Sequence, residues 1–350
     1  MAIRSKTFCE SYHEDIKLLD TIWSKCWMGL FVVGLLFLPY ISDSYIVYMV
    51  NLSCIAVVAS VGLNILTGLT GQISLGHAAF LAIGAYTAAI LGEGLGMPFW
   101  ITLPAGGLVS AAAGILVGIP CLRLKGLYLA MATMSFGVMV EYVLITWGSL
   151  TGGERGMYMP EVTVLGHTLD TDESMYYFLL CIATLMIIAA KNIVRTRVGR
   201  AFIAVRDRDI AAEVMGVNLT GYKVMAFALS SFYAGVAGGM YAYVMGHIHP
   251  EHFTLMSSVE YMAMIVIGGL GSILGSIFGA IFIVVVPEGI KLLAQGIESV
   301  IPAMQGRYDE EWNIAVFGLL IMLFLIFEPG GLNAIWQRIK TGFKNWPFTY

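Results

Sequence analysis

Few residues in this chain could do chemistry inside a lipid bilayer, and each interrupts an otherwise apolar run. Glu141 sits in GLYLAMATMSFGVMVEYVLITWG, about two-thirds of the way across that run from Lys125. A charge at mid-membrane costs roughly 2.5–3.5 kcal/mol on the insertion scale. Glu141 is therefore either a proton relay or polar contact on a solute path, or a buried carboxylate bonded to a neighbouring helix. Thr133 and Ser135 lie in the same run, where hydroxyls more often bond back to their own helix than serve a ligand. Gln72, Ser74 and His77 break a second run together with several glycines, in GLTGQISLGH (68–77). Non-helical backbone at membrane depth is tolerated only where protein buries it or where it lines a watery cavity. That segment is thus either a plain cytoplasmic turn or a dip that shapes a translocation path. Gln72, Ser74, His77, Thr133 and Glu141 are the candidate path residues.

Other chemistry is sparse. His247, His249 and His252 form an HxHPEH run with Glu251 beside them, a composition able to bind metal, but nothing completes a site and no resident metal is assigned. There is no GxxxxGK[ST] phosphate loop; Ser5-Lys6-Thr7 and Lys340-Thr341 lack the preceding glycines that would cradle phosphate. HExxH, GxSxG and kinase signatures are also missing, which disfavours an integral membrane enzyme. Cys9, Cys26, Cys54, Cys121 and Cys181 are scattered and odd in number, as expected of free apolar thiols rather than a disulfide framework. No cofactor and no nucleic-acid partner are implied.

The elements that must position these residues are membrane helices. Hydrophobic residues make up 58% of the chain and charged residues 12%, about half the charged share of a soluble domain. A span needs about 20 apolar residues. Such stretches occur at 24–41, 45–67, 74–92, 100–121, 125–148, 175–191, 221–246, 257–271, 274–294 and 312–328. The fold expected is all-α and polytopic, with about ten transmembrane helices and both termini cytoplasmic. Residues 1–23 form a cytoplasmic leader, 24–332 the transmembrane domain and 333–350 a cytoplasmic tail. With no small-residue cleavage site after Trp27, the first apolar run reads as a retained helix. In this topology all nineteen Lys and Arg except Arg155, Lys291 and Arg307 fall on the cytoplasmic side, as the positive-inside rule requires. A helix break is placed at GGLGSILGS (268–276), because one continuous span from Ser257 to Pro287 would be too long without strong tilt. Glycine pairs such as Gly114–Gly118 and Gly235–Gly239 let helix backbones approach closely. The glycine-broken stretches 62–86 and 264–282 share a pattern that suits a parallel repeat.

Seven of the nineteen basic residues crowd between Lys191 and Lys223. Such a loop lies in water on the cytoplasmic side. Its middle, with Phe202, Ile203, Val205, Ile210, Val214 and Met215 among charges, predicts an amphipathic helix. A helix of that kind, in a chain with no energy source of its own, suits a handle for another protein.

Five blocks in order carry a family likeness: GLNILTGLTGQISLGHAAFLAIGAYTAAIL (62–91), GLYLAMATMSFGVMVEYVLITWGSLTGGERGM (126–157), RTRVGRAFIAVRDRDIAAEVMGVNLTGYKVMAFALSSFYAGVAGGMYA (195–242), EYMAMIVIGGLGSILGSIFGA (260–280) and FEPGGL (327–332). From about residue 45 to 332 the chain resembles the M-type permease subunit of branched-chain amino acid ABC transporters. The resemblance implies an inner-membrane importer of several parts: a second, homologous permease, cytoplasmic ATP-binding subunits that hydrolyse ATP, and an external solute-binding protein. It also places Ala211 to Gly216 where import permeases carry an EAA…G loop that docks on the ATPase; here the order is AAE. Within the coupling loop 192–220, Gly199, Arg200, Arg206, Ala212, Glu213 and Gly216 are the coupling residues so implied. The external protein would dock on loops 149–174 and 295–311. The implied solute is a branched-chain or other neutral amino acid, with urea, amides or another small polar solute as the alternative. A stand-alone proton-coupled carrier or channel, using Glu141 or His77, is the competing class.

Overall fold

In a computed structural model the described residues are 33–300, apart from 122, 125, 161–162, 165–166 and 169–170, and 318–345, apart from 320, 323, 325 and 329. The leader, the start of the first expected span and the loop at 301–311 lie outside them. Helices dominate: α1 (33–41), α2 (Ser44–Thr70), α3 (His77–Ala89), α4 (Phe99–Cys121), α5 (Leu127–Thr146), α6 (Asp172–Arg195), α7 (Arg197–Asp207), α8 (Asp209–Val214), α9 (Leu219–Met245), α10 (Leu255–Gly268), α11 (Ile273–Val300) and α12 (Gly331–Asn345). Two-residue strands are the only sheet among the described residues; Met157–Tyr158 pairs antiparallel with His247–Ile248. This is an all-α multi-pass membrane fold.

Six helices, α2, α4, α5, α6, α9 and α11, are long and apolar enough to cross a bilayer. Ten spans are expected from the sequence. The remaining four are two shorter helices, α3 and α10, and the stretches 24–41 and 312–328, which are only partly described. α2 and α9 are the centre of the bundle, with 72% and 67% of their apolar windows buried. α6 and α11 lie outside, so their apolar surfaces face lipid or another chain.

Small residues set how close the helices come. A Cβ on Gly84 would overlap the backbone of Gly235, so α3 and α9 touch main chain to main chain. Gly268 and Gly275 stand in the same relation between α10 and α11. The expected glycine faces at 114–118 and 235–239 likewise pack on neighbours such as Phe227 and Leu103. Polar ties lock the contacts: Ser110 Oγ donates to Phe80 O at 2.9 Å and Tyr233 Oη donates to Met186 O at 2.9 Å.

Both expected glycine interruptions exist, side by side at the end of the bundle that carries the basic loop. The first follows α2. Gly71 adopts φ +70°, and a pair of bonds, Gly71 N to Thr67 O and Gln72 N to Leu66 O, closes the helix. The bond from Gly71 N to Thr67 O is an αL-type ending, which needs the left-handed residue glycine supplies. The second lies between α10 and α11, where Gly269 and Gly271 have φ +111° and +83°. Asn64, inside α2, clamps it: Gly271 N donates to Asn64 Oδ1 and Asn64 Nδ2 donates to Ser272 O, both at 2.9 Å.

The arms of the two breaks do not match. The 27-residue α2 precedes the 13-residue α3, whereas the 14-residue α10 precedes the 28-residue α11. The long arm comes first in one and second in the other.

Candidate translocation path and coupling loop

The segment 71–76 is non-helical, and it enters the bundle rather than turning at the surface. His77 Nε2 donates to Ala59 O at 2.9 Å. Ala59 lies eleven residues before the end of α2, about 16 Å back along the helix. The chain therefore runs back alongside α2, and α3 begins inside the bundle rather than at its end.

Backbone at that depth needs internal partners, and hydroxyls supply them. Leu75 N donates to Thr133 Oγ1 on α5 at 3.0 Å, and Gly76 N to Ser74 Oγ at 3.4 Å. Ala78 N, one of the open donors of the first turn of α3, reaches Ser258 Oγ on α10 at 3.0 Å. Thr67 Oγ1 donates to Gln72 O at 3.1 Å and Gln72 Nε2 to Thr70 Oγ1 at 2.9 Å.

Four of the five candidate path residues, Gln72, Ser74, His77 and Thr133, thus come together around one break, all buried. The His77 ring also meets Tyr261 edge-on at 5.6 Å. Thr133 and Ser135 bond back to Ala130 O and Met131 O, as hydroxyls in apolar helices do, and Thr133 serves the break as well. Glu141 stands apart. It lies eight residues further along α5, half-buried, with no hydrogen bond or ion pair to any described residue. Sequence reasoning missed Asn64 and Ser258; their signal was a polar residue inside an apolar span.

The basic loop departs from the single amphipathic helix expected. It forms two helices, α7 and α8, with opposite apolar habits. On α7, Phe202 and Val205 are buried, and the Phe202 ring meets Tyr222 edge-on at 6.2 Å. Gly199 is buried at the α6–α7 corner, where a Cβ would overlap the Val194 backbone. Beyond it, Ile210, Val214 and Met215 are 74%, 81% and 83% exposed. Gly216 ends α8 with φ +86°. Glu213 and Arg200 are exposed beside this tip and on α7, while Ala212 is buried under it.

Arg206 differs from its neighbours in direction. Its Nη1 donates to Gly68 O in the last turn of α2 at 2.9 Å, and its Nε to Asp207 Oδ1 at 3.1 Å.

At the opposite end, Gly148, Gly152, Arg155, Gly156, Tyr158, His247 and His249 line an open depression of about 850 Å³. The rings of His247 and His249 are 4.1 Å apart, and those of His249 and His252 5.6 Å. Burial, then His249 and His247, hold the His252 imidazole below its ordinary pKa. Among the described residues no three His, Cys, Asp or Glu are placed to hold a metal.

Comparison with known proteins bears on this arrangement. Residues 45–325 match the family described as branched-chain amino acid transport system, permease component. The chain is 33% identical over 342 residues to the high-affinity branched-chain amino acid transport system permease protein LivM of Salmonella typhimurium, covering 90% of this chain and 76% of that protein. It is 34% identical over 331 residues to LivM of Escherichia coli, covering 87% and 74%. A more distant relative is the autoinducer 2 import system permease protein LsrC of Photorhabdus luminescens, 26% identical over 279 residues, covering 76% of each chain. No solved structure matches. The chain belongs to the family of branched-chain amino acid transport system permease components.

Proposed function

We propose that this permease subunit carries branched-chain or other neutral amino acids inward, driven by ATP that separate subunits hydrolyse. Its partners are a second, homologous permease, cytoplasmic ATP-binding subunits and an external solute-binding protein. The observation that carries the reading is the exposed apolar tip Ile210–Val214–Met215 on a basic loop, in a chain that belongs to this family. An aqueous loop has no reason of its own to present three large apolar side chains, and a protein partner covers such a patch.

The orientation follows from charge. The end carrying α7, α8 and α12 is cytoplasmic, because basic loops stay inside. Counting α3, α10 and the stretches 24–41 and 312–328 as passes gives ten, with both termini on that side, in a bacterial inner membrane. Few fixed charges lie on the buried helices, which suits a neutral or zwitterionic solute. LsrC is named for a different solute, so a small polar molecule of another class is the alternative.

In the cycle proposed, ATP draws the two ATPases together, α7 and α8 move with them, and the paired permeases change the side of access. Glu213, exposed on α8, contacts the ATPase. Glu213→Arg should abolish coupled uptake of leucine in membrane vesicles while leaving the amount of chain in the membrane unchanged. Normal uptake by that variant would remove Glu213 from the docking surface.

A further inference from the structure

Arg206 lies in the coupling loop, and its partly exposed guanidinium spans from Asp207 at the surface to the place where the two glycine breaks meet. The bond to Gly68 O serves one of the last carbonyls of α2, which have no partner within the helix. A cation there also complements the negative end of the helix dipole. The Arg206 stem passes Gly71, where a Cβ would stand 3.1 Å from Cγ. Its Nη1 lies 2.8 Å from where a Gly271 Cβ would be. One side chain therefore occupies a slot bounded by the left-handed glycine of the first break and a left-handed glycine of the second. Asn64 ties the same two breaks together one turn deeper.

The covalent path from the exposed tip to this slot is short. Arg206 is in the last turn of α7, three residues before α8 begins at Asp209. α7 is held besides by the buried apolar Phe202 and Val205 and by Arg200 Nη1, which donates to Arg195 O on α6 at 3.3 Å; Arg206 carries the directed bond that reaches α2. A directed, charge-assisted hydrogen bond cannot slide without breaking.

We propose that Arg206 is the positioning residue through which movement of α7 and α8 reaches both glycine breaks, and so the backbone on either side of the path. The proposal rests on the reading of α8 as the ATPase-docking element. Displacement of α8 pulls the guanidinium against Gly68 and Gly271 and shifts the two breaks together. Without Arg206 the two breaks would not respond to displacement of α8.

The test uses the whole transporter, purified with its own partner subunits into nanodiscs. Amide hydrogen exchange is measured at 68–76 and 268–273, without nucleotide and after trapping with ATP and vanadate. In wild type, trapping changes exchange at both breaks. In Arg206→Met that change is lost at both breaks, and Arg206→Lys, which keeps a cationic donor, recovers it in part. Should Arg206→Met fail to assemble, Arg206→Gln is measured in its place; its shorter amide does not reach Gly68. An Arg206→Met or Arg206→Gln transporter that hydrolyses ATP and shows the wild-type exchange response overturns the proposal. Glu213→Arg separates this from failure of the docking reading. If that reading is wrong, Glu213→Arg keeps both ATPase activity and the exchange response.

Discussion

The two glycine breaks look alike in sequence and fold differently. GLTGQISLGH (68–77) and GGLGSILGS (268–276) both place small residues between apolar arms. The second is a short turn at the basic end, held by the two bonds of Asn64. The first turns at Gly71 and then carries five more non-helical residues back into the bundle before α3 starts. Glycine decides where a helix can stop, because it alone adopts positive φ without strain. It does not decide where the chain goes next. That depends on partners for the freed backbone: Thr133, Ser258 and Thr67 surround the first break.

Substitutions can break or sharpen this contrast, and the largest effect falls where both breaks are hit at once. A side chain on Gly68 would overlap Asn64 and crowd Gly271 N. Overpacking of a filled site costs about 1–3 kcal/mol and sometimes more, so Gly68→Val should leave little folded chain after extraction, measured by size-exclusion profile and thermal unfolding in detergent. Asn64→Leu is next. It removes the acceptor of Gly271 N–H, while Ser272 O keeps its bond from Ser276 N; the loss is about 1–3 kcal/mol, and hydrogen exchange at Gly271 should rise.

Thr133→Val strikes the first break alone. It leaves Leu75 N–H without its acceptor and should lower the melting temperature, with a loss of about 1–3 kcal/mol. Thr133→Ser, which retains the hydroxyl, should restore most of it. The second break should exchange as in wild type in either variant; a change there would show that the two breaks are one mechanical unit, as the position of Arg206 implies only under load from α8. Smallest of all is Glu141→Gln. Half-buried and without a described partner, Glu141 holds nothing in place, so stability should stay within about 0.5 kcal/mol. Uptake should be unchanged across pH; loss of a pH dependence would instead make it a proton-linked group, the expectation for a stand-alone carrier.

Much of the fold was legible for physical reasons. Apolar length and charge asymmetry located the long helices, and glycine located both breaks. The depth of His77 was not legible, because it depends on hydroxyls that bond its neighbours Leu75 and Ala78 from 58 and 180 residues further along the chain. The division of the basic loop was also hidden. A 3.6-residue pattern treats Phe202 and Met215 alike, yet one is in the core and the other 83% exposed; which apolar residues face inward is set by α9 and α2, not by spacing. Arg206 reads as a surface charge and is exposed, but spacing gives no sign of its bond to Gly68 O. The residues singled out at 199–216 came from family likeness; in the structure Arg200, Glu213 and Gly216 are exposed, Gly199 and Ala212 buried, and Arg206 is bonded to Gly68 O.

The central claim is that this permease is driven through its exposed tip by separate ATPases. It is tested most directly by purifying the tagged chain gently from its own membrane, as wild type and as Met215→Glu, and identifying what accompanies each by mass spectrometry. The account predicts a second permease and ATP-binding subunits with wild type, and retention of the second permease with loss of the ATP-binding subunits in Met215→Glu. Recovery of the wild-type chain alone, or of an unchanged set of partners with Met215→Glu, would contradict it.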